Sequence, residues 1–226
     1  NQDAYCIHPS QGEVKVAIVT DGCGDSSSPY SEIGARIGAN LTAQAVLRNA
    51  SRIQAVMPNE EGGVPFVSDS FWEKVRQDVL AQLRILALGL GDSITEVVRS
   101  HFLFTTLGVL ITQEVSTFFR LGDGVIIVNG WEYSFSYPDN EPPYLGYGLV
   151  RTTVDMSQKS SAYVSVLSIP TADLHSFVLA TDGLNDILDK PELLIPGTQK
   201  EIGPISQLWE ENRFFTNPDN LRRWLV

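Results

Sequence analysis

Two cysteines, Cys6 and Cys23, are all that 226 residues contain, and neither the paired spacing of a zinc ribbon nor that of a secreted disulfide scaffold can be built from them. A reducing cytoplasm is therefore the expected setting. Basic residues are scarce too: 16 Lys and Arg stand against 27 Asp and Glu, giving a formal net charge of −11 and a pI near 4.6. Such a surface repels phosphate backbones and anionic headgroups, which argues against nucleic acid and membrane as partners. No apolar run is long enough to cross a bilayer, and no basic start leads into an apolar signal segment. Whole-element repeats and low-complexity tracts are missing as well. The acidity suits a cluster of carboxylates around a divalent cation and a merely solvated surface equally well, so composition leaves both open.

What is present is enough apolar material for one core. With 43% hydrophobic residues, the chain is long enough to bury one sizeable core and short for two, so residues 1–226 are expected to form a single domain. The chain opens at Asn1 rather than Met and reads as part of something longer.

The first 22 residues read as two strands joined by a turn at Ser10 to Glu13, the second strand, Val14 to Thr20, being nearly all apolar. Pairing Ser10 with Glu13 sets Asp3 opposite Thr20, beside Asp21. A helix follows, with Ser28 as N-cap, Pro29 at its first position and Ile33, Ile37 and Leu41 at helical spacing. Gly34 and Gly38 lie on a neighbouring line and would let another element approach. After a loop at Pro58 to Pro65, a second helix starts with a capping-box pair, Ser70 and Glu73. It carries an apolar stripe of Phe71, Val75, Val79, Leu83 and Leu86, and Gly89 is its expected stop. From Phe102 the period changes to strands, with a turn at Gln113 and Glu114 and a hairpin signal at Asn129-Gly130. Two further strands, near Tyr163 to Ser168 and Phe177 to Thr181, precede a helical tail. Helices in consecutive pairs and strands in consecutive hairpins predict an α+β fold of antiparallel sheets covered by helix pairs.

Twice a buried strand ends in Thr-Asp-Gly, at Thr20-Asp21-Gly22 and at Thr181-Asp182-Gly183. A strand fixes the carboxylate, while Gly permits a sharp turn and opens its carbonyl to a ligand. Hard cations such as magnesium or manganese take such oxygens, and Asp3, Asp21, the Gly22 carbonyl and Asp182 make a suitable set. For one copy, Asp-Gly is simply a common turn pair. Two copies with a third Asp alongside favour a cation, because clustered carboxylates otherwise repel one another.

These residues resemble a family. "NQDA" at Asn1, "VTDGCGD" at Val19, "FTTLGVLI" at Phe104, "RLGDG" at Arg120 and "LATDGLND" at Leu179 fall in the order found in the type 2C, metal-dependent protein phosphatases. "SEIGARIGA" after the first Asp-Gly and "NEPPYLGY" at Asn140 look like the divergent bacterial branch. The resemblance implies a central antiparallel β-sandwich flanked by helix pairs, in α-β-β-α layers, with two Mn²⁺ or Mg²⁺ ions at one end. It implies that Asp21 bridges the two ions, that the Gly22 carbonyl holds one and Asp182 the other, and that Asp3 reaches the centre directly or through water. The activity implied is removal of phosphate from phosphoserine and phosphothreonine of proteins, the products of a Ser/Thr kinase. A metal-activated bridging water would be the nucleophile, with Asp21 and Asp182 carrying catalysis through the metals.

The departures from the family pattern are specific. Cys23 stands where eukaryotic members carry a His proposed to protonate the leaving oxygen, and it reads as a wall residue rather than a catalytic thiol, because nothing basic lies beside it. His101 stands where many bacterial members place a third-metal Asp; it reads as a structural His at a strand start, with ligation as the other possibility. The Arg that binds substrate phosphate in relatives lies upstream of the motif at Asn1, outside this chain. Relatives close the metal site with a late Asp followed by a Thr-rich strand. Here Asp219 is followed by helical spacing, so Asp219 reads as a helix N-terminal acid, and the last ligand is expected beyond Val226. The single domain would thus lack its first and last strands. Asp123, in "RLGDG", is expected to shape a turn rather than touch metal. A catalytically impaired regulatory or binding module is the alternative that these departures support.

Overall fold

In the computed structural model, residues 2–8, 14–50, 67–150, 162–188, 190, 192, 194, 199, 201–217 and 219–221 are described. Strand β2, Lys15–Gly22, alternates so that Val16, Ile18 and Thr20 are buried under the first helix. That alternation sets its pairing with β1, Asp3–His8. Cross-strand partners share a face, so the residue opposite Ile18 must fit beneath the helix. Cys6 does, donating its Sγ–H to Asn40 Oδ1 at 3.5 Å. The register is therefore Asp3↔Asp21 and Ala4↔Thr20, one residue away from the expected pairing of Asp3 with Thr20. A turn-based register cannot sense which face is crowded. The slip turns Tyr5 and Ile7 to the other face, where they are 74% and 63% exposed. The expected turn at Ser10 to Glu13 lies outside the described residues.

Antiparallel pairing continues through β3 (Phe104–Ile111), β4 (Val115–Leu121) and β7 (Val164–Pro170), giving a five-stranded sheet in the order β1-β2-β3-β4-β7. Strands β5 (Gly124–Val128), β6 (Trp131–Phe135) and β8 (Phe177–Ala180) form a second sheet, β6-β5-β8. Asn129 and Gly130 both take positive φ, as a two-residue hairpin between β5 and β6 requires. Leu107, Val109 and Phe118 of the first sheet pack on Ile126 and Val128 of the second. This is the expected antiparallel sandwich.

Helices cover both outer faces. On the first sheet lie α1 (Ser31–Ala50), α2 (Asp69–Leu90) and α3 (Ile94–His101). The start of α1 differs from expectation: Ser28 does not cap it but donates its hydroxyl to Arg99 O at 2.8 Å, tying the segment to α3. Nor do Ile33, Ile37 and Leu41 form its buried stripe, since Ile33 is exposed. The buried face consists of small residues, among them Gly34, Ala35, Gly38, Ala39 and Thr42. The expectation for the glycines holds: a side chain at Gly34 would run into the His101 carbonyl, and one at Gly38 into the Phe104 ring. Small residues let α1 sit almost on the sheet and on the α3–β3 junction. In α2 the stripe Phe71, Val75, Val79 and Leu83 is buried, whereas Leu86 is half-exposed. Ser70 lies inside this helix, and Glu73 bonds Arg76 and Gln77 instead of closing a capping box. Gly89 also lies inside it. Beneath α2, Trp72 stacks 4.3 Å from Phe119 and donates its Nε1–H to Ser165 Oγ at 2.6 Å.

The second sheet is covered by α4 (Gly183–Leu188) and α5 (Gln207–Glu210), through Leu184, Ile187 and Trp209. A further turn, α6 (Arg213–Thr216), follows. The layers are thus α-β-β-α. Among the described residues, no helix is long and apolar enough to cross a membrane.

Two buried threonines under α1 give a stability test. Thr20 donates its hydroxyl to Ala35 O at 3.0 Å, with Ala4 O at 3.3 Å, while Thr106 Oγ1, equally buried, has no partner. Removing a satisfied buried hydroxyl costs about 1 kcal/mol, whereas removing an unsatisfied one is neutral or stabilising. Thr20→Val should lower the denaturation midpoint and Thr106→Val should hold or raise it; urea titration reads both.

Candidate metal centre

The register puts Asp3, Asp21 and Thr105 side by side on β1, β2 and β3, in one row across the sheet. Successive strand residues face opposite ways, and Ala17 and Leu107 of these strands look into the sandwich. The row therefore lies on the inter-sheet face, at the end where β2 finishes in Asp-Gly. The next strand makes room for it. Gly122 has φ +99°, and a side chain there would fall 2.6 Å from Thr105 Cβ, so only glycine fits this turn. The turn delivers Asp123. From the second sheet β8 ends at Ala180, and Asp182 follows in the turn that starts α4, its carbonyl accepting from Asn185 N at 2.9 Å.

Asp21, Gly22, Asp123 and Asp182 line one open pocket of about 50 Å³. Two of its walls come from elsewhere. Cys23 stands on one side, held by its N–H to Leu103 O at 2.8 Å and by Ser31 Oγ donating to its carbonyl at 2.8 Å. Beside it, the loop after β6 contributes Asn140 and Tyr144, with Asp139 and Asn140 both in left-handed backbone conformation. The Tyr144 hydroxyl is hydrogen-bonded with Cys23, and burial pushes its ionisation far above the usual range, so it stays a neutral hydroxyl.

The electrostatics are those of uncompensated anions. Burial, then the charges of Asp3 and Asp182, push the Asp21 carboxyl up to about 7, with a hydrogen bond to Asp3 and the charge of Asp123 adding to the shift. Asp123, only 7% exposed, is raised chiefly by burial and further by Asp182. No Lys, Arg or His is among the pocket's lining residues. Yet no three His, Cys, Asp or Glu side chains among the described residues are spaced to grip one ion. An all-oxygen donor set of this spacing suits Mg²⁺ or Mn²⁺, which keep several waters among their ligands. It does not suit a closed tetrahedral site.

Of the expected ligands, Asp21, Gly22 and Asp182 share the pocket, and Asp3 couples to it through Asp21. Asp123, expected to shape a turn, does follow the Gly122 turn and also lines the pocket. Its signal was there: Gly-Asp-Gly between two buried strands repeats the logic applied to Asp21. His101 is not at a strand start. It ends α3, stacks 4.7 Å from Tyr30 and places Nδ1 2.7 Å from Ser100 Oγ, apart from the pocket lining. Asp219 is exposed, its N–H donated to Asn217 Oδ1 at 3.0 Å, as a helix-start acid would be. Trp224 and Leu225, which carried the helical spacing after it, lie outside the described residues. Thr105 and Tyr144 lie within the motifs quoted at Phe104 and Asn140, but nothing in those stretches marks them as pocket residues, because pocket membership follows from register and loop path.

Among solved structures, the chain resembles a bacterial serine phosphatase with a TM-score of 0.58 at 14% identity, over 100% of this chain and 85% of that one. It also resembles the serine/threonine phosphatase Stp1 from Staphylococcus aureus, with a TM-score of 0.52 at 15% identity, over 100% and 83%. At such identities the likeness is one of fold. No curated protein matches the sequence. The sequence profile of the protein phosphatase 2C family, however, matches residues 1–226, the same span that contains the sandwich, its helix pairs and the acidic pocket at its end. The chain belongs to the protein phosphatase 2C family.

Proposed function

We propose that the protein hydrolyses phosphoserine and phosphothreonine monoesters of proteins with two Mn²⁺ or Mg²⁺ ions bound in the acidic pocket. The observation that carries this reading is the convergence of Asp21, Asp123 and Asp182 from three separate segments on one open cavity without a basic side chain in its lining. Asp21, Asp182, the Gly22 carbonyl and Asp3 are the proposed holders of the ions, with Asp21 between them and Asp123 as a further carboxylate at the rim. Divalent cations there would supply Lewis acidity, lowering the pKa of water and neutralising phosphoryl oxygens. The chain itself keeps those carboxylates rigid on strand ends, and Tyr144 offers a neutral hydroxyl beside Cys23. No side chain is needed as nucleophile.

Substrates would be the products of a Ser/Thr kinase, and two thiols with no disulfide between them suit a cytoplasmic setting. Hydrolysis of p-nitrophenyl phosphate and of a phosphothreonine peptide should require added Mn²⁺ and stop in excess chelator. Turnover unaffected by chelator would refute the proposal, and Mn²⁺ binding without turnover would favour the impaired regulatory module.

A further inference from the structure

Thr105 is 3% exposed, lines the pocket beside Asp21, and its hydroxyl has no hydrogen-bond partner. Leaving a buried hydroxyl unsatisfied carries a desolvation penalty, and most buried polar side-chain atoms in folded proteins are bonded. The arrangement around Thr105 keeps its hydroxyl from finding a partner within the protein. Its Cβ and Cγ2 lie against Gly122, whose absent side chain leaves the space they need. The threonine is β-branched, and with its methyl packed there the side chain has few rotamers open to it. The neighbouring Tyr144 hydroxyl is engaged with Cys23. A valine would fill the same volume without an orphaned oxygen, so packing alone gives no reason for the hydroxyl.

We infer that Thr105 is a positioning residue of the pocket, its hydroxyl hydrogen-bonding to a water in the shell of a divalent cation held at Asp21. This inference rests on the metal-dependent reading above and adds to it a group that is not itself a ligand. Outer groups of this kind commonly alter metal affinity 10–100-fold. The cation would keep waters because no three acidic side chains among the described residues are spaced to grip one ion, and the cross-strand neighbour of Asp21 is well placed to orient one of them.

The test is Mn²⁺ titration by calorimetry, without phosphate, on the wild-type 226-residue chain, Thr105→Val and Thr105→Ser, alongside thermal melts of the three metal-free proteins. Thr105→Val should weaken Mn²⁺ binding by about 10-fold, while its metal-free melting temperature stays the same or rises. Thr105→Ser, which keeps the hydroxyl, should bind within about threefold of wild type. Mn²⁺ affinity of Thr105→Val within twofold of wild type would overturn the inference. So would a loss shared by Thr105→Ser and matched by a lower metal-free melting temperature. If wild type itself binds no Mn²⁺, the metal-dependent reading fails first and the role of Thr105 falls with it; wild-type binding with an unaffected valine variant removes Thr105 alone.

Discussion

Asp21→Asn is expected to abolish turnover and, in the same molecule, to make the metal-free protein more stable. The two effects have one cause. Asp21 lies half-buried among Asp3, Asp182 and Asp123, so its carboxyl is pushed up to about 7, well above its value in an unfolded chain. The folded metal-free protein therefore holds a proton that the unfolded chain releases. The associated stability is present below pH 4 and is lost as pH rises from about 4 to about 7. Asparagine removes the penalty at neutral pH. Solvent screens part of it at a half-exposed site and Asp3 shares it, so the expected gain is about 1–2 kcal/mol. Denaturant midpoints of metal-free wild type should fall between pH 5 and pH 7.5, and those of the variant should change less. Turnover should drop at least about 1,000-fold, because the central carboxylate is lost from a site proposed to work through bound cations. A variant that loses activity together with metal-free stability would instead mark Asp21 as a structural residue.

Among the described glycines, Gly34→Ala should have the largest effect on folding. The new Cβ would collide with the backbone carbonyl of His101, and neither partner is the flexible end of a side chain. Helix α1 would have to lift from the α3–β3 junction. Overpacking usually costs about 1–3 kcal/mol, and a clash with backbone belongs at the upper end or above it, so about 3 kcal/mol or more is expected. The shift should also reach the pocket. Three residues before Gly34, Ser31 donates to the Cys23 carbonyl at 2.8 Å, and Cys23 is pocket wall. Mn²⁺ affinity should thus fall along with the melting temperature. Gly89→Ala, with nothing near the added carbon and inside a helix, is the control and should be neutral or slightly stabilising.

What the sequence made legible was what depends on local pattern. The apolar runs of β2, β3 and β5, the Asn129-Gly130 hairpin and the stripe on α2 each follow from the period of their own residues. The two Thr-Asp-Gly ends declared themselves because each stops an apolar run on a carboxylate and the pattern occurs twice. What stayed hidden depends on contacts between distant segments. The β1–β2 register was missed by one residue because the deciding fact is the crowding of α1 over Cys6. The buried face of α1 was misassigned because glycine and alanine carry little hydropathy signal, yet close approach to the sheet selects them over Ile33 and Ile37. Helix α3 was missed since eight residues give too short a period, and with it the placement of His101. Asp123 carries a turn signal in its own stretch, whereas its place in the pocket depends on Asp182 arriving from the other sheet.

The central claim is that the carboxylates of three segments hold divalent cations in this pocket, and anomalous scattering from crystals grown with Mn²⁺ tests it most directly. The account predicts two anomalous peaks in the pocket, one of them shared by Asp21, with Asp182 and the Gly22 carbonyl among the contacts. Crystals in which Mn²⁺ leaves the pocket without a peak, or binds elsewhere on the acidic surface only, would contradict it.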